Sequence, residues 1–164
     1  MSRTAVYPGT FDPVTEGHRD IVERSLRIFD RIIVAIGPNP KKAPLFTLPE
    51  RTAMLEEIFR GRPGVVIRSF DGLLIDFVKT EGAQAIVRGI RAISDFEAEF
   101  QMALMNRRMD TDVETVFLMP SEEYSYLTSS LIKEVAQFGG EITGLVSPVV
   151  QEMLEKKFGR PSGR

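Results

Sequence analysis

The stretch from Tyr7 to His18, Tyr-Pro-Gly-Thr-Phe-Asp-Pro-Val-Thr-Glu-Gly-His, constrains the fold more than any other part of the chain. An apolar strand predicted at Ala5–Tyr7 leads into it, and a helical pattern through Ile21, Val22 and Leu26 follows at once. Strand, glycine-bearing loop and helix in this order open a βαβ unit. The loop of such a unit lies at the carboxyl end of a parallel strand, where open α/β sheets bind their ligands.

The start of this first helix is a predicted anion site. The helix begins near Gly17 and His18, so its free N–H groups and positive dipole end point at the loop, where phosphate is the natural ligand. Gly9 and Gly17 let the backbone come close to a ligand, and Thr10 adds a hydroxyl. His18 is the only histidine of the chain. A lone histidine is usually a surface residue, but its place at this helix start favours a functional role.

The composition is that of an ordinary globular protein and excludes several functions. Of the 164 residues, 43% are hydrophobic and 27% are charged, which fits one domain with a sizeable core. A net charge of −2 argues against a protein that coats nucleic acid. The absence of cysteine excludes disulfides and thiol chemistry, and one histidine leaves no recognisable zinc site. No apolar run approaches the ~20 residues of a membrane span and no signal peptide is evident, so we expect a cytoplasmic protein without membrane contact.

Four further short apolar runs predict strands, at Arg31–Ile36, Val65–Ile67, Ala85–Val87 and Glu114–Met119. Helical patterns lie between them. This alternation predicts a single-domain α/β fold, a doubly wound, Rossmann-like sheet of five parallel strands with helices on both faces. We expect the domain to span residues 1–158, with 159–164 as a frayed tail.

Start and stop signals give the limits of the remaining helices. Thr47-Leu48-Pro49-Glu50 is a capping box that starts one helix, and Asp71-Gly72 opens a short one. Ser94-Asp95 starts a long amphipathic helix that we expect to end near Arg108. Its methionines indicate core or subunit contact rather than a cofactor site. Two more helices are predicted, one that follows the hydroxyls of Ser129-Ser130 and reaches about Phe138, and one from Pro148.

Cationic side chains follow two strands at the same predicted edge of the sheet. Lys41 and Lys42 lie in the proline-rich loop after the second strand, and Arg88 and Arg91 flank Gly89 directly after the fourth. Solvated loops are the alternative interpretation. The carboxyl-end position favours phosphate contact for the arginines, which can hold phosphate oxygens with paired hydrogen bonds.

Hydroxyl side chains follow the fifth strand, at Thr128, Ser129 and Ser130, just before a predicted helix. Ordinary N-capping explains one of the three. The glycine fingerprint of dinucleotide oxidoreductases and the P-loop motif are both absent, so neither hydride transfer nor P-loop chemistry is indicated. No Gly-x-Ser-x-Gly elbow presents a nucleophilic serine.

The motifs resemble those of one enzyme family. Thr-x-Gly-His after Gly-Thr-Phe-Asp-Pro is similar to the (His/Thr)-x-Gly-His signature of the nucleotidyltransferase superfamily. From about residue 4 to residue 158 the chain resembles the bacterial phosphopantetheine adenylyltransferases. The matching stretches are Tyr7–His18, Pro44–Arg51, Val87–Glu99 and Val116–Glu134. The family's second signature, Ile-Ser-Ser-Ser-x-x-Lys, appears here as Leu127–Lys133.

The resemblance implies a reaction, partners and a set of site residues. ATP and 4′-phosphopantetheine would give dephospho-coenzyme A and pyrophosphate, with Mg²⁺, in a homohexamer under feedback by coenzyme A. By position, the catalytic residues would be His18, as transition-state stabiliser, with Thr10, Lys42 and Arg91. Phosphopantetheine would be held by Thr10, Lys42, Leu74 and Arg88. ATP would be bound by Thr10, Phe11, His18, Gly89, Ile90, Arg91, Glu99, Tyr124, Ser125, Tyr126, Leu127, Thr128, Ser129 and Ser130.

Three positions depart from the family's pattern. Glu16 stands where asparagine is commoner, Thr128 replaces a serine, and Ala98 replaces a tyrosine often found there. Glu16 brings a negative charge near the polyphosphate, so we expect its side chain to point outward. Glu97 and Glu99 are two residues apart on a predicted helix, which places them on different faces and argues against an acid–base pair.

The chemistry fits these residues without a general base. The second pKa of a phosphate monoester lies near ~6, so this nucleophile is mostly dianionic at neutral pH. The difficulty is to bring two anions together and to stabilise charge on the α-phosphoryl group, which cations and hydrogen-bond donors do. Two alternatives stay open: adenylyl transfer to another phosphorylated acceptor such as nicotinamide mononucleotide, and a non-catalytic nucleotide or coenzyme A sensor. Thr15 argues against the first, since such relatives usually carry His there, and a sensor would be expected to have lost His18 or the arginines, all of which are present.

Overall fold

Five parallel strands form one sheet, as predicted. A computed structural model describes residues 2–39 and 43–159. The strands are β1 (Thr4–Gly9), β2 (Arg31–Ile36), β3 (Val65–Ser69), β4 (Ala85–Gly89) and β5 (Glu114–Leu118). Their order is β3-β2-β1-β4-β5, and all four neighbouring pairs are parallel. The strands β2 and β3 are added on one side of β1, and β4 and β5 are added on its other side. The strand order therefore reverses between β1 and β4, and the carboxyl ends of these two strands flank that point.

Helices cover both faces of this sheet. They are α1 (Glu16–Ser25), α2 (Leu48–Ile58), α3 (Leu74–Thr80), α4 (Ile93–Met109), α5 (Ser129–Gln137) and α6 (Pro148–Lys157). Alternate strand residues divide between two cores, because successive side chains of a strand point to opposite faces. Ala5 and Tyr7 belong to the core that also contains buried residues of α1, α2, α5 and α6. Val6 belongs to the smaller core against α3. The predicted doubly wound fold is confirmed.

Local signals set most helix limits within two residues of the prediction. The capping box at Thr47 is confirmed, because the Thr47 hydroxyl and the Glu50 carboxylate each accept a backbone N–H of the other residue. The helix predicted to open at Asp71-Gly72 begins only at Leu74, because Gly72 takes a positive φ of 82° that a helix cannot contain. A 3₁₀ turn at Glu122–Tyr124 is an element that the sequence pattern did not indicate.

The apolar face predicted for α4 is largely exposed. Phe96, Phe100 and Leu104 retain 46%, 46% and 48% of their accessible surface, and the methionines of this helix are exposed as well. The helix contacts chiefly β5 within the described residues. An amphipathic pattern shows which side of a helix is apolar, but burial of that side also needs a partner surface.

Candidate active site

A cavity of about 420 Å³ opens at the carboxyl ends of β1 and β4, where the strand order reverses. Five segments line it: the end of β1 with its loop, the first turns of α1, the end of β4, the first turns of α4, and residues 120–130. The lining residues are Tyr7, Pro8, Gly9, Thr10, Phe11, Thr15, Gly17, His18, Ile21, Arg88, Gly89, Arg91, Asp95, Ala98, Glu99, Pro120, Tyr124, Leu127, Thr128, Ser129 and Ser130.

Most residues predicted from the sequence line this one cavity. They are Thr10, Phe11, His18, Arg88, Gly89, Arg91, Glu99, Tyr124, Leu127, Thr128, Ser129 and Ser130. Four others do not line it. The backbone N–H of Ile90 bonds to Leu118, the Ser125 hydroxyl donates to the carbonyl of Glu122, Tyr126 is 57% exposed, and Leu74 packs against the α3 core. Lys42 lies outside the described residues.

His18 is held by a capping box of which it is itself a member. The backbone N–H of Thr15 donates to Nδ1 of His18 at 2.9 Å, and the Thr15 hydroxyl accepts the backbone N–H of His18 at 3.4 Å. Since Nδ1 accepts a hydrogen bond, the proton of the neutral ring is on Nε2. The edge of the ring packs against Phe11, with the two ring centroids 5.1 Å apart. The imidazole is therefore fixed in position and in tautomer, with an Nε2–H to donate.

Burial and two neighbouring cations keep the imidazole neutral. Burial disfavours the charged ring, and the charges of Arg91 and Arg88 act in the same direction, so the pKa of His18 falls to about 4. Tyr7, whose ring centroid is 6.5 Å from that of His18, stays protonated because burial raises the pKa of its hydroxyl. At neutral pH His18 is thus a neutral hydrogen-bond donor.

Each arginine of the cavity is paired with a carboxylate of α4. Arg88 donates from Nε and Nη2 to the two oxygens of Glu99, at 2.6 Å and 2.5 Å, and from Nη1 to the carbonyl of Pro8. Pairing with Glu99 outweighs the effect of burial and raises the pKa of Arg88. Arg91 donates in the same way to Asp95, with Nε 3.0 Å from Oδ2, and from Nη1 to the carbonyl of Leu127.

The charges of the described lining residues therefore cancel, since the two arginines face two carboxylates and His18 is neutral. The sequence predicted cationic side chains at this edge and Glu99 among the ATP-binding residues, but it did not indicate the pairing of each arginine with a carboxylate or the presence of Asp95. The four-residue spacings from Arg91 to Asp95 and from Asp95 to Glu99 are the signals that could have revealed it. Glu97 is exposed on another face of the helix, as predicted.

A buried carboxylate braces the loop that follows β1. Asp12 is 4% exposed and accepts the backbone N–H groups of Leu45 and Phe46, each at 2.9 Å, and the ammonium of Lys133 at 2.8 Å. Burial alone would raise the pKa of Asp12, but Lys133 and the two N–H donors outweigh it and hold that pKa below its ordinary value. Arg51 completes the brace by donating to the carbonyl of Thr10 at 2.8 Å.

Two of the three hydroxyls at the start of α5 have structural partners. Thr128 caps the helix by accepting the backbone N–H of Leu131 at 2.9 Å, and Ser129 donates to the carbonyl of Pro13 at 2.7 Å. Lys133, the last residue of the second signature, is neutralised by Asp12. The carboxylate of Glu16 lies 3.5 Å from Arg19 and its side chain is 16% exposed, and Glu16 does not line the cavity.

No helix in the described ranges is long and apolar enough to cross a bilayer. Residues 2–39 and 43–159 also contain no group of three or more His, Asp or Glu side chains that could hold a metal ion.

The sequence of the chain is similar to those of known nucleotidyltransferases. A family model described as cytidylyltransferase-like matches residues 6–135. Phosphopantetheine adenylyltransferases are similar over almost the whole chain: that of Alkalilimnicola ehrlichii is 53% identical over 99% of this chain and 94% of its own, and that of Thermodesulfovibrio yellowstonii is 52% identical over 96% and 99%. The phosphopantetheine adenylyltransferase of Carboxydothermus hydrogenoformans is 54% identical over 95% and 96%.

A solved structure shares the fold. The putative nicotinate-nucleotide adenylyltransferase of Vibrio parahaemolyticus superposes with a TM-score of 0.68 over 99% of this chain and 98% of its own. Its sequence is 17% identical, so this likeness concerns the fold alone and does not bear on the choice of acceptor.

Proposed function

Since the chain belongs to the phosphopantetheine adenylyltransferases, within the cytidylyltransferase-like family, we propose that it transfers the adenylyl group of ATP to 4′-phosphopantetheine. A phosphate oxygen of phosphopantetheine attacks the α-phosphorus of ATP, and the bond from that phosphorus to the bridging oxygen breaks. Pyrophosphate leaves with the electron pair, and dephospho-coenzyme A is formed without a covalent enzyme intermediate. The observation that carries the proposal is the single cavity that joins His18, Arg88, Arg91 and the hydroxyls at the start of α5.

The residues of the cavity act by position and charge. The acceptor is already mostly dianionic at neutral pH, so no side chain has to remove a proton. His18 donates its Nε2–H to an oxygen of the α-phosphoryl group, where negative charge builds up in the transition state. Arg88 and Lys42 hold the acceptor phosphate, and Arg91 holds the phosphates of ATP.

Magnesium belongs to this scheme as part of the substrate. In phosphoryl-transfer sites Mg²⁺ usually keeps several waters and binds through substrate phosphates with one or two carboxylates. We assign it to the phosphates of ATP, where it shields charge between the two anionic reactants.

Self-association and feedback are part of the same proposal. The exposed apolar face of α4 supports a homo-oligomer, for which we propose the hexamer, and coenzyme A is proposed as a feedback inhibitor because it contains the pantetheine and adenosine groups of the product. A cytoplasmic location is consistent with the cysteine-free sequence.

The proposal is tested by pyrophosphate release from ATP and Mg²⁺ with phosphopantetheine, run beside the same assay with nicotinamide mononucleotide. We expect release with phosphopantetheine and formation of dephospho-coenzyme A by mass spectrometry. Release only with nicotinamide mononucleotide would assign the acceptor to the alternative, and binding of ATP without release in either assay would indicate a sensor.

A further inference from the structure

The two arginines of the cavity are held in the same way by one helix. Glu99 and Asp95 each face the Nε and Nη2 side of a guanidinium, and a backbone carbonyl, of Pro8 or Leu127, accepts from each Nη1. The two carboxylates are four residues apart on α4, so they lie on one face of the helix, one turn apart. One rigid element therefore sets the orientation of both cations.

The pairing leaves donors for a ligand. A guanidinium has five N–H groups in a rigid plane. Within residues 2–39 and 43–159, the hydrogen bonds of each arginine involve three of them, so two remain on the terminal nitrogens. A phosphate can be bound through these groups while the carboxylate stays in place.

Burial favours pairs that persist when the ligand binds. The side chains of Glu99 and Asp95 are 19% and 28% exposed, and those of Arg88 and Arg91 are 33% and 36% exposed. A carboxylate that lost its arginine here would be left partly buried beside incoming phosphates, which is unfavourable through both desolvation and repulsion.

We propose that Asp95 and Glu99 are positioning residues of this active site: Glu99 orients Arg88 toward the acceptor phosphate, and Asp95 orients Arg91 toward the phosphates of ATP. This inference rests on the proposed function. It adds Asp95 to the site and gives Glu99 a role through Arg88 rather than through the nucleotide. Since the two pairs serve different ligands, their loss has different consequences.

The test is a pair of isosteric variants with titration calorimetry for each ligand separately. We expect Glu99→Gln to weaken binding of phosphopantetheine about tenfold, because misdirecting a positioned group lowers the strength of the contacts it makes. ATP binding should stay within about twofold. Asp95→Asn should weaken ATP binding about tenfold and leave phosphopantetheine within about twofold. Glu97→Gln, on an exposed position of the same helix, is the matched control and should change neither.

Double-mutant cycles separate action through the arginine from direct contact. In an Arg88→Ala background, Glu99→Gln should have little further effect on phosphopantetheine binding, and Asp95→Asn should have little further effect on ATP binding in an Arg91→Ala background. Full additivity in either cycle would overturn the inference for that pair.

Other outcomes decide against the proposal in distinct ways. Tighter binding in the isosteric variants would mean that the carboxylates compete with phosphate, and a lower melting temperature with both affinities unchanged would mean that they only support the fold. A swapped pattern, in which Glu99→Gln weakens ATP alone, would show a nucleotide contact. Because calorimetry needs no turnover, these results hold even if the wild-type protein makes no dephospho-coenzyme A, in which case the proposed function alone fails.

Discussion

His18 acts as a neutral donor because its surroundings exclude the alternatives. The backbone N–H of Thr15 occupies Nδ1, burial and two arginines oppose protonation, and only Nε2–H remains to face a ligand. An imidazolium would attract phosphates more strongly, but a neutral donor keeps the same protonation state throughout the physiological pH range.

The pH dependence of the reaction follows from this. The pKa of His18 is about 4, so its protonation should not appear between pH 5.5 and 8.5, and kcat at saturating substrates should be flat there. The value of kcat/KM for phosphopantetheine should fall below pH ~6, because the acceptor phosphate gains a proton and becomes a weaker nucleophile.

Initial rates in overlapping buffers at constant ionic strength check both curves. A step in kcat near pH 6.5, the ordinary value for histidine, that is absent from the His18→Gln variant would show that His18 titrates freely and would contradict its assigned state. The stability of the fold should also depend on pH. The imidazole of His18 binds a proton more readily in the unfolded chain than in the folded one, so the free energy of unfolding should decrease as pH falls from about 6.5 toward 4.

Among the elements, the loop after β1 is held in place by contacts with other parts of the chain. Asp12 binds the backbone at Leu45 and Phe46 and the side chain of Lys133, so one carboxylate joins this loop, the segment before α2, and α5. The loop carries Thr10 and Phe11 into the cavity, which makes the brace a condition for the site rather than part of its chemistry.

Removing one partner of this brace should cost stability. We expect Lys133→Met to lower the free energy of unfolding by about 1–3 kcal/mol, because a buried carboxylate loses its counter-charge. Asp12→Asn combined with Lys133→Met should recover part of the loss, since no unpaired charge remains. Urea unfolding at one protein concentration measures both, and simple addition of the two single losses would argue against a direct pair.

How well the sequence predicts these elements depends on how far apart in the chain the interacting residues lie. The capping box at Thr47 and the buried runs of β1 and β2 depend on neighbours within a few residues, and their positions were predicted closely. The pairing of Asp12 with Lys133 joins residues 121 positions apart, and only tertiary structure brings them together. Asp95 and the pairing of Glu99 with Arg88 were missed for a related reason, because a helical carboxylate on a polar face is usually solvated.

At the scale of the whole molecule, α4 presents an apolar surface that the single chain does not cover. Phe96, Phe100, Leu104 and Met105 are each 46–53% exposed on this one helix. Surfaces of this kind mark interaction sites. The same helix orients the arginines of the cavity, so an interface on its outer side would lie directly behind the active site.

A charge placed on this surface should dissociate the oligomer. We expect the wild-type protein to sediment near six times its chain mass of 18.4 kDa and Met105→Glu to sediment as a smaller species, because an ionised side chain is costly to bury in an apolar interface. Gln101→Glu, an exposed polar position on the same helix, is the control and should not change the mass. A wild-type protein that sediments as a monomer would show that the apolar surface of α4 is not a contact between copies of this chain.

The central claim is that separate parts of the chain gather around one imidazole to stabilise adenylyl transfer, and the turnover number of His18→Ala tests it most directly. We expect kcat for dephospho-coenzyme A formation to fall by about 10²–10³, the usual loss for one transition-state donor. Circular dichroism of the variant should be unchanged. His18→Gln, whose amide can replace the Nε2–H, should recover part of the rate. A His18→Ala variant that keeps near-normal kcat would contradict the claim.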